Sequence, residues 1–151
     1  MNSNRHYVVR ALGAWVLTVA AAMSTDASAA CAQTNLAGTW YATGVTGNSN
    51  TNGFEDYIRC KIVLNSAGTV VTSGSSCIGR DSVGRYTVPV TGGRVRASAA
   101  CAVSGSLTFG GVGLHTIEFG QMDRGAHNIY TVALYRNANP DFLTVLTVVK
   151  Q

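Results

Sequence analysis

Residues 58–64 read Ile-Arg-Cys-Lys-Ile-Val-Leu, with apolar side chains at the even positions and mostly polar ones at the odd positions. Residues 85–90, Arg-Tyr-Thr-Val-Pro-Val, repeat this alternation. Successive side chains of a β-strand point to opposite faces, so both segments are expected to be strands with one buried face. Past residue 37 no long window shows the apolar period of an α-helix. The sequence therefore predicts an all-β fold.

Turn residues separate the alternating runs. Asn65-Ser66-Ala67-Gly68 lies between two runs, and Gly92-Gly93 is a favourable centre for a two-residue hairpin. The expected strands span roughly 38–46, 54–64, 69–74, 85–90, 94–102, 106–110, 114–122, 128–136 and 141–150. A meander of many short strands can remove its exposed edges by closing on itself. We expect a small up-and-down β-barrel of about eight or nine antiparallel strands, with an open sandwich as the second choice.

Residues 1–30 have the pattern of a secretory signal peptide. A basic segment precedes an apolar run over 11–23, and small residues follow up to Ala29 and Ala30. The run is shorter than the roughly 20 residues that a membrane-spanning helix needs. We expect cleavage after Ala29 or Ala30, export to the periplasm or out of the cell, and a single domain over residues 31–151.

Cys31 follows this segment directly and would be the anchor of a lipoprotein. Lipoprotein signals usually place a leucine three residues before the lipidated cysteine, where this chain has Ser28. We therefore expect an exported protein without a lipid anchor.

The composition limits the classes of function. Hydrophobic residues make up 46% of the chain and charged residues 12%, which excludes a disordered tail. The formal net charge of +4 is too small and too dispersed for a dedicated nucleic-acid binder. No stable membrane span is expected.

Four cysteines in an exported domain indicate disulfide bonds. The predicted strand directions place Cys60, Cys77 and Cys101 at one rim of the barrel and Cys31 at the other. Cys77–Cys101 is the preferred bond and Cys60–Cys77 the alternative. No C-x-x-C pair or matching histidines accompany them, so no metal site is expected.

The chain lacks the common motifs of catalysis and nucleotide binding. There is no nucleophile elbow, no Walker or dinucleotide glycine motif and no recognisable cysteine-protease signature. The densest polar cluster comprises His115, Glu118, Asp123, Arg124 and His127. His115 and Glu118 would face opposite sides of a strand, so an ordinary polar turn is predicted there. We expect no catalytic residues, no cofactor and no enzyme activity.

Basic residues are expected to gather on the outer surface. If Gly92-Gly93 is a hairpin turn, Arg85, Arg94 and Arg96 form one positive patch. Such a patch suits an acidic protein or an anionic glycan, although it equally fits a solvated barrel exterior. No run of exposed aromatic residues accompanies it, so no nucleic acid is expected as a partner.

Gly38-Thr39-Trp40, within the stretch Asn35–Tyr41, resembles the G-x-W signature that opens the first strand of lipocalins and related calycin barrels. In that family the tryptophan closes the floor of the barrel, and a basic residue near the end of the last strand packs across it. The resemblance implies these two floor roles for Trp40 and Lys150. A cation over an indole ring contributes about 0.5–2 kcal/mol.

The leading functional hypothesis is non-catalytic binding of a small apolar molecule inside the barrel. The interior candidates are Tyr41, Ile62, Tyr86, Val88, Leu107 and Phe119, which would otherwise form only a packed core. The alternative is a protein-binding or inhibitor module acting through loop 46–53, loop 78–84 or the arginine patch.

The last strand is apolar on both faces. Phe142, Leu146 and Val148 lie on one face, and Leu143, Val145 and Val149 lie on the other. One set must fill the barrel, and the other would be an exposed patch unless something covers it. Loop 46–53 of the same chain and a second subunit are the two covers we consider.

Overall fold

The barrel is closed and antiparallel. A computed structural model describes residues 30–51 and 53–151. Within this range each of eight strands pairs with the next along the chain, and the last strand pairs with the first. The predicted up-and-down barrel is therefore confirmed. The predicted signal peptide, residues 1–30, lies outside the described residues except for Ala30.

The strands follow one another with short connections. They are β1 (Gly38–Asn48), β2 (Gly53–Leu64), β3 (Ser76–Arg80), β4 (Arg85–Ala97), β5 (Val103–Phe109), β6 (Gly113–Met122), β7 (Asn128–Arg136) and β8 (Asn139–Lys150). Short 3-10 helices span Gln33–Leu36 and Thr72–Gly74. No helix in the described part of the chain is long and apolar enough to cross a membrane. We call the end where β1 begins the closed end, and the end where β1 meets β2 the open end.

β4 replaces the two strands and the hairpin predicted over 85–102. Gly92 pairs with Thr108 of β5, so the Gly92-Gly93 dipeptide lies inside a strand and makes no turn. A bulge between Val90 and Gly92 inserts one residue, which moves the inward face from even to odd positions. Val90 and Val95 are consequently both buried. Merging these two segments is the reason that the strands number eight.

The third strand begins later in the chain than expected. Residues 69–74, predicted as a strand, form isolated bridges followed by the 3-10 helix at Thr72–Gly74. β3 instead covers Ser76–Arg80, most of which had been assigned to loop 78–84. Cys77 therefore lies within the sheet, directly opposite Cys60 on β2.

Two disulfide bonds are formed, Cys60–Cys77 and Cys31–Cys101. The preferred pairing, Cys77–Cys101, is wrong. β4 runs the full height of the barrel and carries Cys101 to the closed end, where Cys31 also lies, so Cys31 is not isolated. Two disulfides indicate that the chain folds in an oxidising environment.

The closed end is tightly packed. The Trp40 Nε1–H donates to the Leu36 carbonyl at 2.7 Å, and the Lys150 ammonium donates to the Asn35 carbonyl at 2.8 Å. Leu36 is fully buried and Trp40 is 1% exposed. The apolar space left inside this half is about 40 Å³. The core of the molecule therefore fills the closed half of the barrel.

Candidate functional site

A larger cavity occupies the open half of the barrel. Its volume is about 350 Å³, which is within the range of small-molecule sites. Its apolar wall includes Ile58, Val88, Phe109, Leu134, Phe142 and Leu146. Its ionisable lining residues are Asp56, Asp81, Tyr86, His115 and Arg136. The lining is thus mostly apolar, with a few polar groups, which is typical of ligand pockets.

One side of the cavity carries an acidic wall built by β2, β4 and the β3–β4 turn. The Tyr86 ring packs on Gly79 of β3, where a Cβ atom would collide with it. Burial raises the pKa of Tyr86 to about 12, helped by a hydrogen bond to Asp56 and by the charges of Asp56 and Asp81. The Asp81 carboxylate accepts the backbone N–H groups of Val83 and Gly84, each at 2.8 Å. Asp56 and Asp81 therefore both interact with other groups of the same wall.

The opposite side carries a basic wall on β6 and β7. His115 and Arg136 are direct cross-strand partners. His115 packs edge-on against Phe109, with ring centroids 4.9 Å apart, and its Nδ1 lies 3.2 Å from the Gly113 carbonyl oxygen. Burial lowers the pKa of His115, and the Arg136 charge lowers it further, against the opposing effect of the Gly113 contact. The imidazole is therefore neutral at neutral pH.

Arg136 closes this wall next to an aromatic ring. The centre of its guanidinium lies 5.8 Å from the Phe142 ring centroid, which is a cation–π distance. Its Nε is buried and has no hydrogen-bond partner among the described residues. The basic wall therefore holds a cation with an unused donor.

Four of the predicted interior residues face the inside of the barrel, but in two different halves. Tyr86 and Val88 line the open cavity, whereas Ile62 and Leu107 lie in the packed closed half. A ligand in the open cavity would therefore meet Tyr86 and Val88, while Ile62 and Leu107 contribute to the core.

Tyr41 and Phe119 were predicted to face inward, and this is wrong. Tyr41 follows the buried Trp40 in β1, so strand alternation turns it outward. Phe119 is 57% exposed, because a register shift between Ile117 and Phe119 interrupts the alternation of β6. Neither side chain can contact a ligand in the cavity.

The polar cluster predicted as a turn is divided between the two ends of β6. Asp123 forms the turn near the closed end and accepts the backbone N–H groups of His127 and Asn128 at 2.8 and 3.1 Å. His115 lies near the open end of the same strand. Over residues 30–51 and 53–151, no group of three or more His, Cys, Asp or Glu side chains could hold a metal ion.

The structure changes the composition of the basic patch. Arg85 begins β4 and Arg94 lies nine positions further along it, about 30 Å away in an extended strand. The expected grouping of Arg85 with Arg94 and Arg96 is therefore wrong, because the hairpin that would bring them together is absent. Arg85 instead pairs directly with Arg80 of β3.

Arg59 and Lys61 are exposed on the adjacent strand β2, where they pair with Ile78 and Ser76 of β3, further toward the closed end than Arg80. We call Arg59, Lys61, Arg80 and Arg85 the outer basic face; all four are exposed.

Both predicted binding loops are shorter than expected. β1 continues to Asn48 and β2 already begins at Gly53. The predicted loop 46–53 is therefore reduced to a tight connection between these two residues. Its Ser49 N–H donates to the Asp141 carbonyl at 2.9 Å, so the connection is fixed to the start of β8. Loop 78–84 is reduced to the turn between Arg80 and Arg85.

The outer face of β8 is covered only in part by this connection. Leu143 and Val145 line a shallow groove together with Val45 and Phe54. Val149 remains 45% exposed further along the strand. The apolar outer face of β8 is therefore largely open to solvent in the single chain.

Neither a protein-family model nor a curated protein matches this sequence. The chemistry of the cavity must therefore be inferred from its own residues. Asp56, His115 and Arg136 were not predicted as cavity residues. Strand alternation could have found two of them, because Asp56 precedes Ile58 and Arg136 follows Leu134 by two positions, on the inward face of each strand.

Proposed function

We propose that this protein is a non-catalytic binding protein that holds a small molecule with an apolar body in the cavity at its open end. The observation that carries the proposal is the contrast between the two halves of the barrel. About 350 Å³ is open in one half, and about 40 Å³ remains in the other. A barrel of about eight strands either fills its interior with side chains or encloses one small ligand, and here each half does one of the two.

The use of the polar groups supports binding rather than catalysis. Tyr86 donates to Asp56, and Asp81 accepts backbone N–H groups of its own turn. A general base needs to be within hydrogen-bond reach of the group that it activates. Here the two carboxylates serve the wall of the cavity, so orientation of a ligand is the role that fits them.

Two sequence features are consistent with this proposal. The Gly38-Thr39-Trp40 segment resembles the opening signature of lipocalins, a family of ligand-binding barrels. The signal-peptide pattern of residues 1–30 would deliver the protein to the periplasm or the exterior, where the two disulfides are stable. Sequencing the N-terminus of the exported protein would test the expected cleavage after Ala29 or Ala30.

Native mass spectrometry of the protein purified from its export compartment tests the proposal directly. We expect a reproducible additional mass of a few hundred daltons that is lost on denaturation. A bare polypeptide mass in every preparation, combined with no uptake of an apolar fluorescent dye, would contradict the proposal.

A matched pair of valine substitutions shows whether a dye or ligand enters the cavity. Val112 is partly buried and lines the cavity, whereas Val83 is 94% exposed in another connection at the same end. Val112→Trp should fill part of the cavity and abolish uptake, while Val83→Trp should leave uptake unchanged. Equal effects of the two substitutions would place the binding outside the barrel.

The second candidate function is a protein-binding or inhibitor module. The observation that favours it is the outer basic face, where Arg80 and Arg85 are directly opposed and Arg59 and Lys61 lie on the next strand. Like charges placed opposite each other destabilise a sheet, so an anionic partner would relieve their repulsion. An acidic protein or an anionic glycan fits this face.

A further inference from the structure

We propose that the ligand of the open cavity is an amphipathic carboxylic acid. Its carboxylate pairs with Arg136, and its apolar body occupies the part of the cavity nearer the closed end. This inference deepens the proposed binding function and rests on it.

The position of Arg136 is the first step. It is the last residue of β7 and lies on the inward face, two positions after Leu134, which also lines the cavity. Phe142 packs against its guanidinium, and His115 is opposite it on β6. The guanidinium of Arg136 is therefore held at the open end of the apolar cavity.

The unused donor of Arg136 is the second step. Its Nε is buried without a hydrogen-bond partner among the described residues. Burying an unpaired donor destabilises a fold, so native proteins leave few such groups without a partner or a function. A ligand group that accepts hydrogen bonds would satisfy this one.

The remaining polar groups limit the charge of the ligand. Asp56 and Asp81 lie on the opposite wall and already accept hydrogen bonds from Tyr86 and from the β3–β4 turn. They would repel a dianionic group such as a phosphate monoester more strongly than a carboxylate. Because His115 is neutral, Arg136 is the cation that the cavity wall offers at neutral pH.

The shape of the guanidinium points to the same group. Its planar array of N–H donors matches the two oxygens of a carboxylate, and such pairs are among the strongest hydrogen-bonded contacts in proteins. Phe142, Leu134 and Leu146 also line the cavity beside it. An acid with a hydrocarbon body satisfies both parts of the cavity.

Two probes of equal chain length test the inference, decanoic acid and decanol, each measured by calorimetry at neutral pH. We expect the wild-type protein to bind decanoate at least about tenfold more tightly than decanol. Arg136→Gln should remove this preference by weakening decanoate and leaving decanol unchanged. Arg136→Lys keeps the charge and loses the planar donor array, so it should restore only part of the preference.

Arg96→Gln is the matched control, because it removes an exposed arginine from the closed half of β4, outside both the cavity and the outer basic face. It should leave both affinities unchanged. Circular dichroism and thermal melting of each variant verify that it is folded. The Lys variant still tests the inference if the Gln variant fails to fold.

The outcomes separate this inference from the function on which it rests. Equal binding of decanoate and decanol by the wild type, or an unchanged preference in both Arg136 variants, would overturn the carboxylate inference and leave the cavity function standing. Binding of neither probe, together with no uptake of an apolar dye, would overturn the cavity function and the inference with it.

Discussion

The Lys150 ammonium lies 5.4 Å from the centroid of the Trp40 ring, and the two residues are direct partners across the strands that close the barrel. Both side chains also donate hydrogen bonds to carbonyls of the N-terminal segment, Trp40 to Leu36 and Lys150 to Asn35. The contact therefore joins the β1–β8 seam to the segment that covers the closed end.

Trp40→Ala should lower the free energy of unfolding by about 3–5 kcal/mol, because it leaves a large void in a packed apolar core. Lys150→Met should cost about 0.5–2 kcal/mol through loss of the contact with the ring. Urea unfolding measures both. Tyr57, which is 71% exposed, supplies the control, since Tyr57→Ala should change stability by no more than about 0.5 kcal/mol. A cost below about 1 kcal/mol for Trp40→Ala would exclude a floor role for this residue.

The two disulfides should differ in their contribution to stability. Cys31 and Cys101 are separated by 70 residues, whereas Cys60 and Cys77 are separated by 17. Chain-entropy arguments give about 4 kcal/mol for the longer loop and about 3 kcal/mol for the shorter one. Chemical denaturation of the two paired Cys→Ala variants measures the difference. A larger loss of stability on removal of Cys60–Cys77 would mean that packing around the cavity wall contributes more than loop entropy.

Stability should fall as the pH drops below about 6.5, the ordinary pKa of histidine. Burial lowers the pKa of His115 in the folded protein, so between the folded and unfolded values the unfolded chain binds more protons. Acid therefore favours unfolding across this window, by at most about 1.4 kcal/mol per pH unit.

Unfolding measured between pH 7.5 and pH 5.5 tests this effect of His115. His115→Leu should flatten the pH dependence, whereas substitution of the exposed His127 by Asn should leave it in place. A slope that persists in His115→Leu would mean that another group is responsible.

The outer basic face should determine how the protein binds polyanions. Arg80→Glu with Arg85→Glu should lower the salt concentration needed to elute the protein from a heparin column. Arg94→Glu with Arg96→Glu changes the net charge equally at two exposed positions elsewhere on β4, so its effect should be smaller. Equal shifts for the two double variants would show that total charge, and not this face, controls binding.

The all-β barrel could be predicted from local sequence because strand alternation is a local property. The runs at 58–64 and 85–90 follow a period of two, and both lie in strands of the observed barrel. The Gly92-Gly93 dipeptide misled the prediction because glycine also permits a bulge inside a strand. Gly93 has a φ of 130°, a value that side chains disfavour, while it stays paired with Leu107 of β5.

Bulges also limited the prediction of which side chains face inward. Each bulge moves the following residues to the opposite face of the sheet, as at Val90 and Val95 in β4 and at Phe119 in β6. A bulge is stabilised by the partner strand as well as by its own residues. The sequence around Phe119 therefore contained too little information to predict its exposure.

By itself, the sequence determined that the chain forms short antiparallel strands, because apolar alternation and turn residues act over a few positions. It favoured a closed barrel over an open sandwich, and the pairing of β8 with β1 decided between them. The tertiary structure alone decided which cysteines pair and which residues meet in the cavity. Cys31 joins Cys101 because β4 spans the whole barrel. Asp56, His115 and Arg136 surround one space because strands distant in the chain become neighbours, or face each other, when the sheet closes.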